Sequence, residues 1–276
     1  MIQDIFPNIY DRTYSNEIPS PDDMIIAFRN GMVLLVNTMP GKLRIPQFSD
    51  FKTGCKTKYL FRINTRKLFL AEGYKESDLD CKTIDWYSLE MVFTQFPEWT
   101  QFAVVTARHL SDWYYRNRYC GCCGSLMRAH YSERAMVCSE CGDIVYPVIS
   151  PVIIVGVTDH DKLLLTKYAN NEFKMHGLIA GYVEIGETLE AAVIREVREE
   201  VGLAIKNLRY FGSQPWGLTH ILIAGFFAEV DGNSQIHLDE KELSKGIWVS
   251  RDELPHELND ISITYEMIEA FRNNQI

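Results

Sequence analysis

No apolar run in the 276-residue sequence is long enough to form a membrane-spanning helix. Such a helix needs about 20 apolar residues, whereas the longest runs here, Pro151–Val157 and Ile221–Ala228, are strand-sized. Basic charge is also scarce. Lys and Arg number 28 against 37 Asp and Glu, a formal net charge of −9. Tight nucleic-acid binding relies on clustered cations that release counterions, so extended nucleic acid is not an expected partner. No internal repeat, low-complexity tract or lipidation signal is visible, and no signal peptide is expected. The expected location is the cytoplasm, with no membrane partner. The seven cysteines are an odd number, which with a reducing compartment argues against a disulfide framework.

The chain is longer than a typical single domain. Hydrophobic residues at 46% and charged residues at 24% leave ample material for packed cores. Three regions are expected. Residues 1–110 alternate in a β-like period, with Ile25–Val36 split by an Asn30-Gly31 turn and Tyr59–Leu70 by Asn64-Thr65. Residues 111–149 hold a cysteine-rich segment, led in by a helix expected over 102–118 with Val105, Leu110, Trp113 and Tyr114 on its apolar face. Residues 150–276 read as strand, turn at 159–162, strand, helix, two further strands and a last helix over about 260–272. This last region is α/β or α+β in class, a mixed sheet with helices packed on it.

Cys120-x2-Cys123 and Cys138-x2-Cys141 form two knuckles fourteen residues apart, each followed by Gly. Four thiolates at that spacing suit a closed tetrahedral Zn²⁺ site, structural rather than catalytic. Cys122, inside the first knuckle, could replace a neighbour. Its ordinary reading, like that of Cys55 and Cys81, is a thiol that binds nothing. Five arginines face four acids between Arg108 and Pro147, so this ribbon has no basic patch for nucleic acid.

The stretch from Gly181 to Leu203 places Glu196, Glu199 and Glu200 within one and a half turns of an expected helix, on one arc of its surface. Thr188 suits the N-cap, and Gly202 the left-handed position past the C-terminus. Val193, Ile194, Val197 and Val201 make an apolar stripe beside the acids. Like charges so close repel by roughly 0.2–0.5 kcal/mol per pair, and divalent cations would offset the repulsion. Arg195 stands among the acids, where its planar fork could hold a carboxylate.

Gly181, Glu187, Arg195, Glu196, Val197, Glu199, Glu200, Gly202 and Leu203 fill the pattern G-x5-E-x7-R-E-hydrophobic-x-E-E-x-G-hydrophobic. At every specified position it resembles the signature of the Nudix hydrolases. The resemblance implies an α/β/α sandwich and hydrolysis of a nucleoside diphosphate derivative with Mg²⁺ or Mn²⁺. It implies Glu196, Glu199 and Glu200 as metal ligands, Arg195 as their orienting partner and Glu187 as a loop-anchoring or auxiliary carboxylate.

Zinc knuckles followed by Tyr146-Pro147-Val148-Ile149-Ser150-Pro151, the box, and Ser213-Gln214-Pro215-Trp216 resemble the NADH pyrophosphatase subfamily. That resemblance implies cleavage of NAD(H)-like dinucleotides into nicotinamide mononucleotide and AMP, and a homodimer. By position, Tyr182 would stack on a ring, Gln214 and Trp216 would line the nucleotide pocket, Glu242 would complete the metal site, and Tyr146 would be lent by a partner subunit. The subfamily run SQPWPFPxS becomes SQPWGLTHI here, and Ser262-Ile263-Thr264 stands where Ser-Ile-Ala is usual. Both departures leave the carboxylates alone and bear on substrate preference. ADP-ribose, another nucleotide sugar or an NAD-capped RNA end are therefore alternative substrates, with a non-catalytic nucleotide sensor behind them.

Overall fold

The computed structural model describes residues 1–276 except 40, 76, 78, 80–82, 170–176 and 256–260. Cys81 and Asp260 fall outside the described residues. Backbone contacts divide the chain into two compact units. One comprises residues 2–148 with 217–219; the other comprises Met1, 149–216 and 220–276.

In the N-terminal unit, β1 (Tyr10–Asp11), β6 (Lys56–Ile63), β7 (Arg66–Gly73) and β2 (Met24–Ile26) form one sheet in the order β1-β6-β7-β2. A second holds β3 (Phe28–Arg29), β4 (Met32–Met39) and β5 (Lys42–Arg44), with β8 (Ile84–Ser88) paired to β4. Ile25, Tyr59 and Phe69 from the first sheet pack with Leu34, Val36 and Ile84 from the second. Both hairpin turns read from the sequence are present. Asn30 and Gly31 take φ of 51° and 79°, and Asn64 takes 54°, as tight turns between twisted strands require. Two helices follow, α1 (Leu89–Gln95) and α2 (Glu98–Arg116). The second begins four residues earlier than its apolar period suggests, because Pro97 fixes the entry as N-cap. Val105, Trp113 and Tyr114 are buried there as expected, while Leu110 is only half-buried. Short strands β9 (Met127–Ala129), β10 (Met136–Cys138) and β11 (Ile144–Val145) make the antiparallel ribbon, in the order β11-β10-β9.

The C-terminal unit is built on β12 (Ser150–Asp159), β13 (Lys162–Tyr168), β14 (Ile179–Tyr182), β15 (Ile205–Trp216), β16 (Ile221–Val230) and β17 (Leu243–Ser250). The order is β15-β16-β12-β13-β17, with β14 also paired to β12. β12 runs parallel to β16, and the other pairings are antiparallel, so the sheet is mixed. Side chains alternate across it. Ile153, Val155 and Val157 face one way, onto α3 (Leu189–Val201), with Ala192, Val193, Val197 and Val201. Ile154 faces the other way, onto α4 (Ile263–Arg272), with Ile263, Met267, Ile268 and Phe271. The result is a sheet covered by a helix on each face, the expected α/β/α arrangement. Among the described residues no helix is long and apolar enough to cross a membrane.

Candidate active site

Helix α3 begins and ends where its sequence says. The Thr188 hydroxyl accepts the Ala191 N–H at 3.2 Å, and Gly202 closes the helix at φ 69°. Ile194 departs from the expected apolar stripe. It is 53% exposed, and Ala192, a turn before Glu196, takes its place in the core. The two buried acids, Glu196 and Glu200, sit on the sheet-facing side with the core residues, whereas Glu199 points to solvent.

Arg195 organises the box. Its Nε and Nη2 donate to the two oxygens of Glu187, both at 2.9 Å. Nη1 donates to Glu196 Oε1 at 2.7 Å and Glu199 Oε2 at 3.1 Å, and Nη2 also reaches the Tyr182 carbonyl at 3.0 Å. Glu187 in turn accepts the Glu184 N–H at 3.0 Å, pinning the loop before the helix. The Arg195 hydrogen bonds and that N–H hold the Glu187 carboxyl down to about 2.

Gly181 explains how Glu196 fits. β14 pairs with β12 so that Gly181 stands opposite Ile153, and a Cβ built there would lie 1.9 Å from Glu196 Oε1. Any side chain at 181 would displace the carboxylate, so glycine is required by close approach.

Glu200 is the most unusual group. It is 2% exposed, and its Oε2 has no hydrogen-bond partner among the described residues. Burial, then the nearby Glu196, Glu242 and Asp239 carboxylates, push it up to about 8. A buried carboxylate with an orphaned oxygen and acidic neighbours is costly unless a cation or proton compensates it. That is the fit expected of a divalent-cation ligand. Among the described residues, however, only cysteine-containing groups bring three or more candidate ligand atoms within 4.8 Å of one another. Arg195 instead gathers Glu187, Glu196 and Glu199 about its guanidinium.

Two further groups around the carboxylates lie outside every motif. Asp239, whose N–H donates to the Glu200 carbonyl at 2.9 Å, adds negative charge there. Tyr168, at the end of β13, is pushed up to about 12 by burial and then by Glu200, Glu196 and Glu242. Glu242 itself lies on the turn after Asp239, its N–H donating to the Asp239 carbonyl at 3.1 Å.

The residues expected to touch substrate divide in character. Tyr182 is 57% exposed with its ring free to stack, and Trp216 ends β15 half-buried. Gln214 is different. It is 1% exposed, and its amide is tied to the start of α4, donating to the Ile261 carbonyl at 2.6 Å and accepting the Ile263 N–H at 2.7 Å. The structure gives it a tethering role. Tyr146 belongs to the N-terminal unit, where its hydroxyl donates to Glu133 at 2.8 Å.

In the ribbon, the sulfurs of Cys120, Cys123, Cys138 and Cys141 lie within 4.8 Å of one another. The Cys120–Cys141 and Cys123–Cys138 separations are both 3.5 Å. A disulfide needs about 2.05 Å. Tetrahedral zinc at about 2.3 Å from each sulfur would put them about 3.8 Å apart. The spacing fits a shared ion. Ser125, through its hydroxyl and N–H, pulls the Cys123 thiol down to about 6, whereas the Cys120 and Cys141 thiols shift upward.

Residues 149–271 match the family model described as NUDIX domain. With the sandwich and the glutamate-rich helix in place, these residues form a NUDIX domain within the chain. It is 44% identical over 146 residues to a protein of Salmonella typhi named NAD-capped RNA hydrolase NudC, the match covering 53% of this chain and 56% of that one. A protein of the same name from Klebsiella pneumoniae subsp. pneumoniae is 42% identical over 171 residues, 62% of this chain and 66% of the relative. The matches thus cover under two thirds of the relatives' own length. Among solved structures, a NUDIX hydrolase from Nitrosomonas europaea aligns at 18% identity and a TM-score of 0.48, over 57% of this chain and 92% of that one.

Proposed function

We propose that this chain hydrolyses the diphosphate bond of NAD(H)-like dinucleotides, giving nicotinamide mononucleotide and AMP. The observation that carries the reading is Glu200, a buried carboxylate with an orphaned oxygen beside Glu196 and Glu242, in a box filled at every position. Mg²⁺ or Mn²⁺ held by Glu196, Glu199, Glu200 and Glu242 would neutralise phosphate charge and acidify a bound water. The chain's own contribution is positional. Arg195 and Glu187 fix the loop and the carboxylates, and Gly181 lets Glu196 sit against the strand. Tyr182 and Trp216 offer aromatic faces to the rings of a dinucleotide. Zn²⁺ on Cys120, Cys123, Cys138 and Cys141 is structural in this reading, since four protein ligands leave no open position. A homodimer with Tyr146 lent across the interface, and action in the reducing cytoplasm, complete it.

A second reading keeps the chemistry and changes the substrate to an NAD-capped RNA end, ADP-ribose or another nucleotide sugar. The run Gly217-Leu218-Thr219-His220 after Trp216 favours it, as do the relatives' names. Purified protein with Mg²⁺ or Mn²⁺ should release AMP from NADH or NAD⁺, and a panel ranked by kcat/KM separates the two readings. Turnover of ADP-ribose or capped RNA alone would select the second, and no turnover of any diphosphate would refute both.

A further inference from the structure

We propose that the ribbon carries a second metal site, open to solvent, formed by Cys120, Cys122 and Asp143 beside the four-cysteine centre. The Cys120 and Cys122 sulfurs and an Asp143 carboxylate oxygen lie within 4.8 Å of one another, so Cys120 belongs to both groups. The knuckle backbone brings this about. The Cys122 N–H donates to the Cys120 sulfur at 3.4 Å, and Asp143 Oδ2 lies 3.6 Å from the same sulfur.

Charge gives the site its reason. Four thiolates around one divalent ion leave two negative charges, and the Asp143 carboxylate adds a third. Among the described residues no Lys or Arg pairs with Asp143. A second cation is the direct means of offsetting that excess. A thiolate bound to one ion keeps lone pairs for another, so Cys120 can bridge. Two sulfurs and one oxygen select a thiophilic divalent ion such as zinc or cadmium over magnesium. Donor number separates the two centres, since each joins a buried Cys120 to exposed sulfur, Cys123 and Cys141 in one and Cys122 in the other. Three protein donors leave one coordination position to solvent, the arrangement of an exchangeable site rather than a closed one.

The inference rests on the four-cysteine reading of the ribbon, and one titration tests them separately. The reduced, zinc-stripped full chain is titrated with Cd²⁺ in excess Mg²⁺, which keeps the glutamates of the NUDIX unit occupied. The thiolate-to-cadmium absorption band is followed, to which carboxylates do not contribute. Wild-type protein should saturate at two equivalents per chain. Cys122→Ser should saturate at one, with the first step and the far-ultraviolet circular dichroism of the one-equivalent form unchanged. Asp143→Asn should weaken the second step at least tenfold. Saturation of the wild type at one equivalent, or a second step that survives in Cys122→Ser, overturns the second site and leaves the first. Absence of the band overturns both.

Discussion

Glu196 and Glu200 share one helix face with valines, and that placement sets what each can do. Glu196 is compensated by Arg195 and depends on the missing side chain at Gly181. Gly181→Ala is expected to push the Glu196 carboxylate from its seat and lower kcat/KM by roughly the 10–100-fold typical of disturbing the shell around a metal ligand. The circular dichroism spectrum should be unchanged, and a fully active variant would show that the close approach is unimportant. Among the described residues, Glu200 Oε2 has no hydrogen-bond partner. Its folded-state value of about 8 lies above the ordinary 4.5, so its contribution to the stability of metal-free protein is complete below the unfolded value. It is lost as pH rises from there through about 8. In chelator, the melting temperature of Glu200→Gln relative to wild type should therefore climb across that window, and a flat difference would count against the assignment. Residues such as Tyr168 and Asp239 could not be found from sequence. They reach the carboxylates from a strand end and a turn outside the box, and only tertiary packing brings them there. Gln214 has a role its motif does not announce: its amide is bonded to the backbone of residues 261 and 263.

Secondary structure was most legible where end signals accompany the period. Thr188 and Gly202 delimit α3 to the residue, and the Asn30-Gly31 and Asn64 turns fix two hairpins. Removing the cap hydroxyl with Thr188→Ala should cost about 1 kcal/mol, read as a lower denaturation midpoint with unchanged slope. No loss would mean that packing alone holds the helix start. Where a signal had two readings, the sequence was less certain. Pro97 sets the entry to α2 four residues before its apolar period begins. Ile194 has the apolar character of a core residue and yet lies exposed. The buried arc of α3 instead runs through Ala192, Glu196 and Glu200, shifted round the helix toward the acids. An amphipathic helix whose chemistry lies on its packed side misleads any reading that equates charge with solvent.

At the scale of the molecule, the two compact units differ in what holds them. The NUDIX unit has apolar cores on both faces of its sheet. The ribbon within the N-terminal unit has short strands of two or three residues, too little surface to be stable without a staple. Stripping zinc, or Cys138→Ser, should lower the melting of residues 2–148 while a separate transition of the NUDIX unit stays in place. Domain-resolved hydrogen exchange would check this, and equal protection with and without chelator would contradict a structural ion. The four cysteines were plain in the sequence because ligand spacing is local.

The central claim is that buried glutamates on α3 hold a divalent ion, and anomalous diffraction from crystals soaked in Mn²⁺ tests it most directly. A manganese peak within bonding distance of Glu196 and Glu200 is the expected result, lost in Glu200→Gln. Crystals saturated with Mn²⁺ that show no peak at those carboxylates would contradict the account.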